Sequence, residues 1–262
     1  MIKKSPFWRS LYSAWELSCD WELPHFCRVA ISADEQRQKF MFNPLHVMPL
    51  WAAVGGLLFL IFGKLLSSML PVNGAALLFA LLLVIAGELR TSSRGLALNV
   101  TFWENLCGNR NFAQAYQNRK DSLRGVSGVI AVLLSIALLG GKFLLIFLVA
   151  RTGHFGVASA GWVAALTAEA VMAADPNAVK VPGFCREGRA EYIVALGGFL
   201  LLFNLISLPL ATLVSAGCAA AVVIILINTF MRKCSAVSSN DMTMTGYLAE
   251  LTVWLCMAVM IG

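Results

Sequence analysis

The sequence predicts an all-α polytopic membrane bundle of about seven transmembrane helices around a cytoplasm-facing cleft, on three observations. The chain of 262 residues is 59% hydrophobic and only 13% charged, against roughly 45–50% and about 25% in soluble domains. Its apolar residues come in blocks near the length of about 20 residues that a helix needs to cross a bilayer, instead of alternating. Its Lys and Arg residues collect on one side of those blocks. That mix excludes a water-soluble globule.

In chain order, residues 1–47 come first and hold Lys3, Lys4, Arg9, Glu16, Asp20, Glu22 and Arg28 with no apolar core behind a basic start. They do not read as a secretory signal. Phe7, Trp8, Trp15, Trp21 and Pro24 leave two readings, an amphipathic segment on the membrane surface or an unpacked tail. Residues 48–262 then form the membrane part, with spans expected at 48–70, 74–89, 127–150, 156–174, 192–208, 210–231 and 245–262. Gly55–Gly56, Gly140–Gly141, Gly197–Gly198 and the Ala-rich runs 164–174 and 217–221 let helix backbones approach closely in lipid. No repeat of 20–50 residues and no change of composition marks a second domain.

The net charge of +6 does not point to nucleic acid once its location is considered. The N-terminal segment and the connections 90–125, 175–191 and 232–244 carry seventeen Lys or Arg, whereas the opposite connections 71–73, 151–155 and the turn at Ser207–Leu208–Pro209 carry only Arg151. By the positive-inside tendency the N-terminus and those three loops are cytoplasmic, in a membrane of the cytoplasmic type, and the lipid bilayer is the first partner. The seven cysteines include no Cys-x-x-Cys pair, which argues against structural zinc and a disulfide framework. His25, His46 and His154 have no partner at metal-ligand spacing and read as interfacial side chains. Walker A, Gly-x-Ser-x-Gly and dinucleotide fingerprints are missing as well.

Charges within spans are where function is sought by default, since each costs at least a few kcal/mol unless paired or hydrated. Lys142 within 127–150 either acts there or snorkels to the outer interface. Glu169, near the cytoplasmic end of its span, is expected to line the bundle. The interior face also gathers Glu88, Glu104, Asp121, Asp175, Glu187, Asp241 and Glu250 with Arg90, Arg94, Arg110, Lys120, Arg124, Arg186 and Arg189. Carboxylates at the mouth of a bundle suit Mg²⁺, and Arg or Lys suits a diphosphate. A solvated mixture of charges is the bland alternative. The long loop 90–125 is the first place to look for chemistry.

One stretch has a known look. Lys120-Asp121-Ser122-Leu123-Arg124-Gly125-Val126-Ser127-Gly128, running into an apolar span with Lys142-Phe143, resembles the Lys/Arg-Asp-Ser-x-x-Gly-x-x-Gly segment of the cobalamin synthase family, the adenosylcobinamide-GDP ribazoletransferases. Met48-Pro49-Leu50 with Gly55-Gly56 resembles that family's first span, 75–87 its second, and Asn240-Asp241 with Glu250 its terminal Gly-Asp and Glu. The resemblance covers most of 45–262. It implies attack by the ribose 5′ oxygen of α-ribazole, or by its phosphate, on the cobinamide-linked phosphorus of adenosylcobinamide-GDP with release of GMP. It further implies Mg²⁺ as the cofactor, Asp121 as the catalytic group, and Lys120, Ser122, Arg124 and Asp241 on substrate; with the family's own acidic ligands replaced, Glu88, Glu104 and Asp121 are the carboxylates left to form a rearranged metal site.

The family's His-x-Asp-Gly-x-x-Asp-x-x-Asp element is replaced here. Gly95 is retained, but Arg94, Leu98 and Thr101 stand where the three Asp would be. Up to three negative charges are thereby lost and one positive charge is added at the expected metal site. A catalytically inactive relative that binds a corrinoid or nucleotide, or that scaffolds a partner or an oligomer, is the expected rival. A small transporter is the third reading, on account of Lys142 and Glu169, although paired halves with matching broken helices are missing.

Overall fold

The computed structural model describes residues 44–90, 126–174, 190–204, 209–234 and 239–261. Among these the chain is entirely helical, with α1 (Pro44–Met69), α2 (Val72–Arg90), α3 (Val126–Arg151), α4 (Val157–Ala174), α5 (Ala190–Asn204), α6 (Pro209–Cys234) and α7 (Ser239–Ile261). Four segments are long and apolar enough to cross a bilayer: Leu45–Met69, Val72–Arg90, Val132–Arg151 and Met242–Ile261. Helices α4, α5 and α6 carry shorter apolar stretches, Ala160–Ala174, Ala190–Leu201 and Leu213–Thr229. This architecture fits a helical membrane protein.

Local chemistry sets the helix ends. Pro44 and Pro209 open α1 and α6, where a missing N–H costs nothing and the fixed φ already suits a helix. At the end of α1 the hydroxyls of Ser67 and Ser68 donate to the carbonyls of Lys64 and Leu65 at 2.8 and 2.7 Å, and Pro71 follows where the helix cannot continue. After α3 the chain turns at Gly153, whose φ of 83° is left-handed and whose N–H donates to the carbonyl of Ala150 at 2.9 Å. A side chain there would be strained.

Two expected boundaries move. Helix α1 begins at Pro44, so the proposed end of the N-terminal segment at residue 47 lies within its first turn; α7 begins at Ser239 instead of 245. Hydropathy locates the apolar part of a helix, whereas its hydrogen bonding extends through the polar Ser239-Asn240-Asp241 start.

Large apolar side chains face outwards along the bundle, among them Leu58, Ile61, Leu133, Phe199, Leu213 and Val259. Helices that are apolar on every face suit a lipid surround. The centre is α4, which packs against α1, α5, α6 and α7. Its Ala160, Ala164, Ala165, Ala168 and Ala170 are buried, and such small residues allow close backbone approach.

Helices α4 and α7 interlock in an antiparallel register through glycine notches. A Cβ on Gly161 of α4 would lie 2.7 Å from the indole Nε1 of Trp254 on α7. A Cβ on Gly246 of α7 would lie 2.6 Å from Cγ of Glu169 on α4 and 2.9 Å from the Ala165 carbonyl oxygen. Each helix thus offers a notch and a large side chain eight residues apart, so the contacts repeat two turns along the pair.

Candidate functional site

Two ion pairs lie inside the bundle. Lys142 of α3 donates to Oε2 of Glu250 of α7 at 2.8 Å, and the residues are only 3% and 4% exposed. The other carboxylate oxygen, Oε1, accepts from Trp254 Nε1 at 3.4 Å. The Lys142 ammonium also lies 5.0 Å from the centroid of the Tyr247 ring, a cation–π distance. In the second pair, Arg90 at the end of α2 grips Glu169 of α4 with both terminal nitrogens, at 3.0 and 2.8 Å. This two-point geometry is the strongest that a guanidinium and a carboxylate can make.

The pairs belong to one cluster, because the carboxylates of Glu169 and Glu250 interact electrostatically. Glu88 of α2 interacts in the same way with Tyr247. Glycines make room for the charged groups: a Cβ on Gly87 would come within 3.2 Å of Lys142 Nζ, and Gly246 receives Glu169. Four helices therefore meet at charges that none could hold alone in an apolar medium.

Depth follows from helix ends. Gly87 and Arg90 lie in the last turn of α2, and Glu169 is five residues from the end of α4. At 1.5 Å per residue Gly87 and Glu169 are about 5–8 Å inside the ends of those two helices, whereas Glu250 and Lys142 lie about 16 and 24 Å along α7 and α3 from their starts at the same end. Connections 91–125 and 175–189 attach at that end, as do the starts of α3 and α7. The cluster thus runs from the loop ends of α2 and α4 to the middle of α7.

Several expectations can be placed against this geometry. Lys142 does not snorkel, because it is buried and turned to Glu250. Glu250 is not at the mouth: α7 starts eleven residues before it and ends eleven residues after it, so it lies at the middle of the helix. Glu169 lines the interior as expected, with Arg90 as its partner. Glu88 borders the cluster and is partly buried. Asp241 falls in the first turn of α7. Lys120, Asp121, Ser122, Arg124 and Glu104 lie outside the described residues, as do Arg94, Leu98 and Thr101.

Tyr247, Trp254 and the notches at Gly87, Gly161 and Gly246 were not singled out by sequence reasoning. The spacing of Gly246, Glu250 and Trp254, each four residues apart, puts them on one helix face and is the signal that could have exposed them.

Mg²⁺ can be tested against the donor set. Among the described residues no group of three or more His, Cys, Asp or Glu gathers to hold a metal ion. Glu169 and Glu250 are each occupied by a cation, and only Glu88 of the three expected ligands is described. The described residues do not fit a Mg²⁺ site. Comparison with protein-family models, with curated proteins and with solved structures finds no match for this chain.

Proposed function

We propose that this chain is a diverged membrane relative of the cobalamin synthase family, acting on adenosylcobinamide-GDP and α-ribazole and releasing GMP. In this reading all seven helices span a bacterial cytoplasmic membrane, with the N-terminus and the longer loops in the cytoplasm. One observation carries it. Lys142 and Glu250 were picked out by resemblance at positions 108 residues apart, and they meet in one buried ion pair. Both lie in stretches that the resemblance covers, and a buried Lys in a membrane bundle needs an acidic partner whatever its family, so the pair supports the reading without deciding it.

The reaction would break the bond between the cobinamide-linked phosphorus and the GMP oxygen and form a new one to the ribose 5′ oxygen or its phosphate. Negative charge developing on the leaving GMP has to be met by cations. Within the described residues Arg90 and Lys142 are the cations held in the buried cluster, Arg232 and Lys233 stand in the last turn of α6, and Lys120 and Arg124 precede α3 in sequence.

An inactive relative that retains binding is the second reading, favoured by a specific observation. The carboxylates of Glu169 and Glu250 are committed to cations, while Arg94, Leu98 and Thr101 replace the family's three Asp. The two readings separate in one assay. Purified full-length protein is given adenosylcobinamide-GDP and α-ribazole with Mg²⁺, and GMP is measured for the natural sequence and for Asp121→Asn. The transferase reading expects GMP release that Asp121→Asn abolishes without unfolding the protein. Substrate binding with no GMP from either form supports the inactive relative, and no binding by either rejects both.

A further inference from the structure

Cys218 of α6 and Cys256 of α7 are both free thiols, and a hydrogen bond joins them across the two helices. The order of the chain explains why they meet. Helices α6 and α7 pack against each other and are connected by residues 235–238 alone, so they run antiparallel. Cys218 stands 16 residues before the end of α6, and Cys256 stands 17 residues after the start of α7. At 1.5 Å per residue both are about 24–26 Å from that connection, at one level of the hairpin. Ala219, buried beside Cys218, is a small residue of the kind that allows close backbone approach. With 38 positions between them in sequence, the two make no Cys-x-x-Cys motif.

The surroundings suit this pair to oxidation. A disulfide needs its sulfurs about 2.05 Å apart, and thiols that already share a hydrogen bond reach that distance by turning their side chains. Cys218 is exposed on the outside of the bundle, on the face that carries the exposed Leu210 and Val214 one and two turns before it. In a bilayer that face meets lipid, so a lipid-soluble oxidant reaches the pair without any opening of the bundle. Both residues stand within apolar stretches, Leu213–Thr229 and Met242–Ile261, where a charge left behind is costly. The acceptor therefore has to take up protons together with electrons.

We propose that Cys218 and Cys256 are a redox pair, oxidised to an interhelical disulfide by a membrane quinone. The Sγ–Sγ bond forms as two S–H bonds break, and the quinone takes both electrons and both protons and leaves as the quinol. Reactants and products are all neutral. The disulfide closes the far end of the α6–α7 hairpin and ties to α6 the helix that carries Glu250 and Trp254. In the orientation proposed above the pair lies in the outer half of the bilayer, apart from the cytoplasmic thiols that keep cysteines reduced. Neither the pair nor its oxidation depends on the transferase reading.

The test uses purified full-length protein in nanodiscs, reduced with dithiothreitol, freed of it and then given decylubiquinone, whose fully substituted ring accepts electrons without adding to thiols. Trypsin cleavage after Lys233 separates the two cysteines, so a linked peptide pair in the mass spectrum reports the disulfide, and absorbance reports the quinol. The natural protein is expected to give the Cys218–Cys256 peptide pair with one quinol per disulfide. It is also expected to melt at a higher temperature than its reduced form, because a cross-link restricts the unfolded chain. Cys218→Ala should melt as the reduced natural protein does and gain nothing from the quinone.

A second arm replaces the quinone by copper–phenanthroline, a strong general oxidant of thiols. Linkage there but none with decylubiquinone rejects the quinone as acceptor and with it the proposal. Thiols that stay free in both arms overturn it as well, as does Cys256 linked to a cysteine other than Cys218. A natural protein that melts at a lower temperature when oxidised than when reduced shows that the hairpin does not accept the bond, and overturns it too.

Discussion

The two ends of this bundle are held together by different chemistry. At the end with the 70–71 and 152–156 turns, Phe59, Phe79, Phe155 and Trp162 pack edge to face, with ring centroids 5.0 to 6.4 Å apart. Gly63 makes room for Phe155, whose ring would lie 2.7 Å from a Cβ there. From the middle of the bundle towards the other end, the contacts include Lys142–Glu250 and Arg90–Glu169. Helix α4 takes part in both, through Trp162 and Glu169.

The contrast teaches what specifies the packing of helices that are apolar on every face. Ring packing tolerates small rotations and slides, and lipid tails offer a similar apolar medium to a face that turns outwards. A charge has no such alternative. Misplacing α3 against α7 by one residue would leave Lys142 and Glu250 facing hydrocarbon, at several kcal/mol. The ionic end therefore discriminates among registers, and the aromatic end fills space once the register is set.

The largest expected effect tests that division. Lys142→Met or Glu250→Leu alone should lower stability by about 3–5 kcal/mol, because the remaining partner is buried without compensation. The double variant Lys142→Met with Glu250→Leu should recover most of the loss. Unfolding in detergent, arranged as a double-mutant cycle, measures the coupling. A double variant as unstable as the sum of the singles would mean that the pair contributes nothing by being a pair.

A smaller effect is expected at the notch that seats the second pair. Gly246→Ala places a methyl against Glu169 Cγ and the Ala165 carbonyl oxygen, and overpacking of this kind costs about 1–3 kcal/mol. Thermal unfolding should show the loss, and Gly217→Ala is the control, since nothing lies within 4 Å of a Cβ there. Equal melting temperatures for the two variants would remove the notch from the account of how α4 and α7 interlock.

The smallest effect belongs to the aromatic end. Phe155→Leu keeps most of the buried volume and is expected to cost less than about 1.5 kcal/mol. If it destabilises the protein as much as Lys142→Met does, the two ends contribute alike and the comparison fails.

Composition and blockwise hydropathy were enough to establish the helical class and to place a helix at each expected span, because exposure to lipid leaves its mark on every face of a helix. Charges within spans likewise stood out one by one: Lys142 and Glu169 were visible as anomalies in apolar segments. Their partners were not. Glu250 looked like a residue of the helix mouth, since hydropathy did not reveal the polar first turns of α7 that set it at mid-helix. Glu88 was legible as a carboxylate near a span end, but its neighbour Tyr247 was not, because an aromatic in a membrane segment has no pattern that separates packing from polar contact.

Sequence by itself determined which segments are helical and which charges sit among apolar residues; of the glycines it marked, Gly55 and Gly197 meet a neighbouring helix, whereas nothing lies within 4 Å of a Cβ on Gly140, Gly141 or Gly198. Tertiary structure alone decided that Lys142 meets Glu250 and that Arg90 meets Glu169, across 108 and 79 residues of chain. The reason is physical. Hydropathy and helical period are properties of neighbours along the chain, whereas a buried charge is satisfied by whichever opposite charge the packing of other helices delivers.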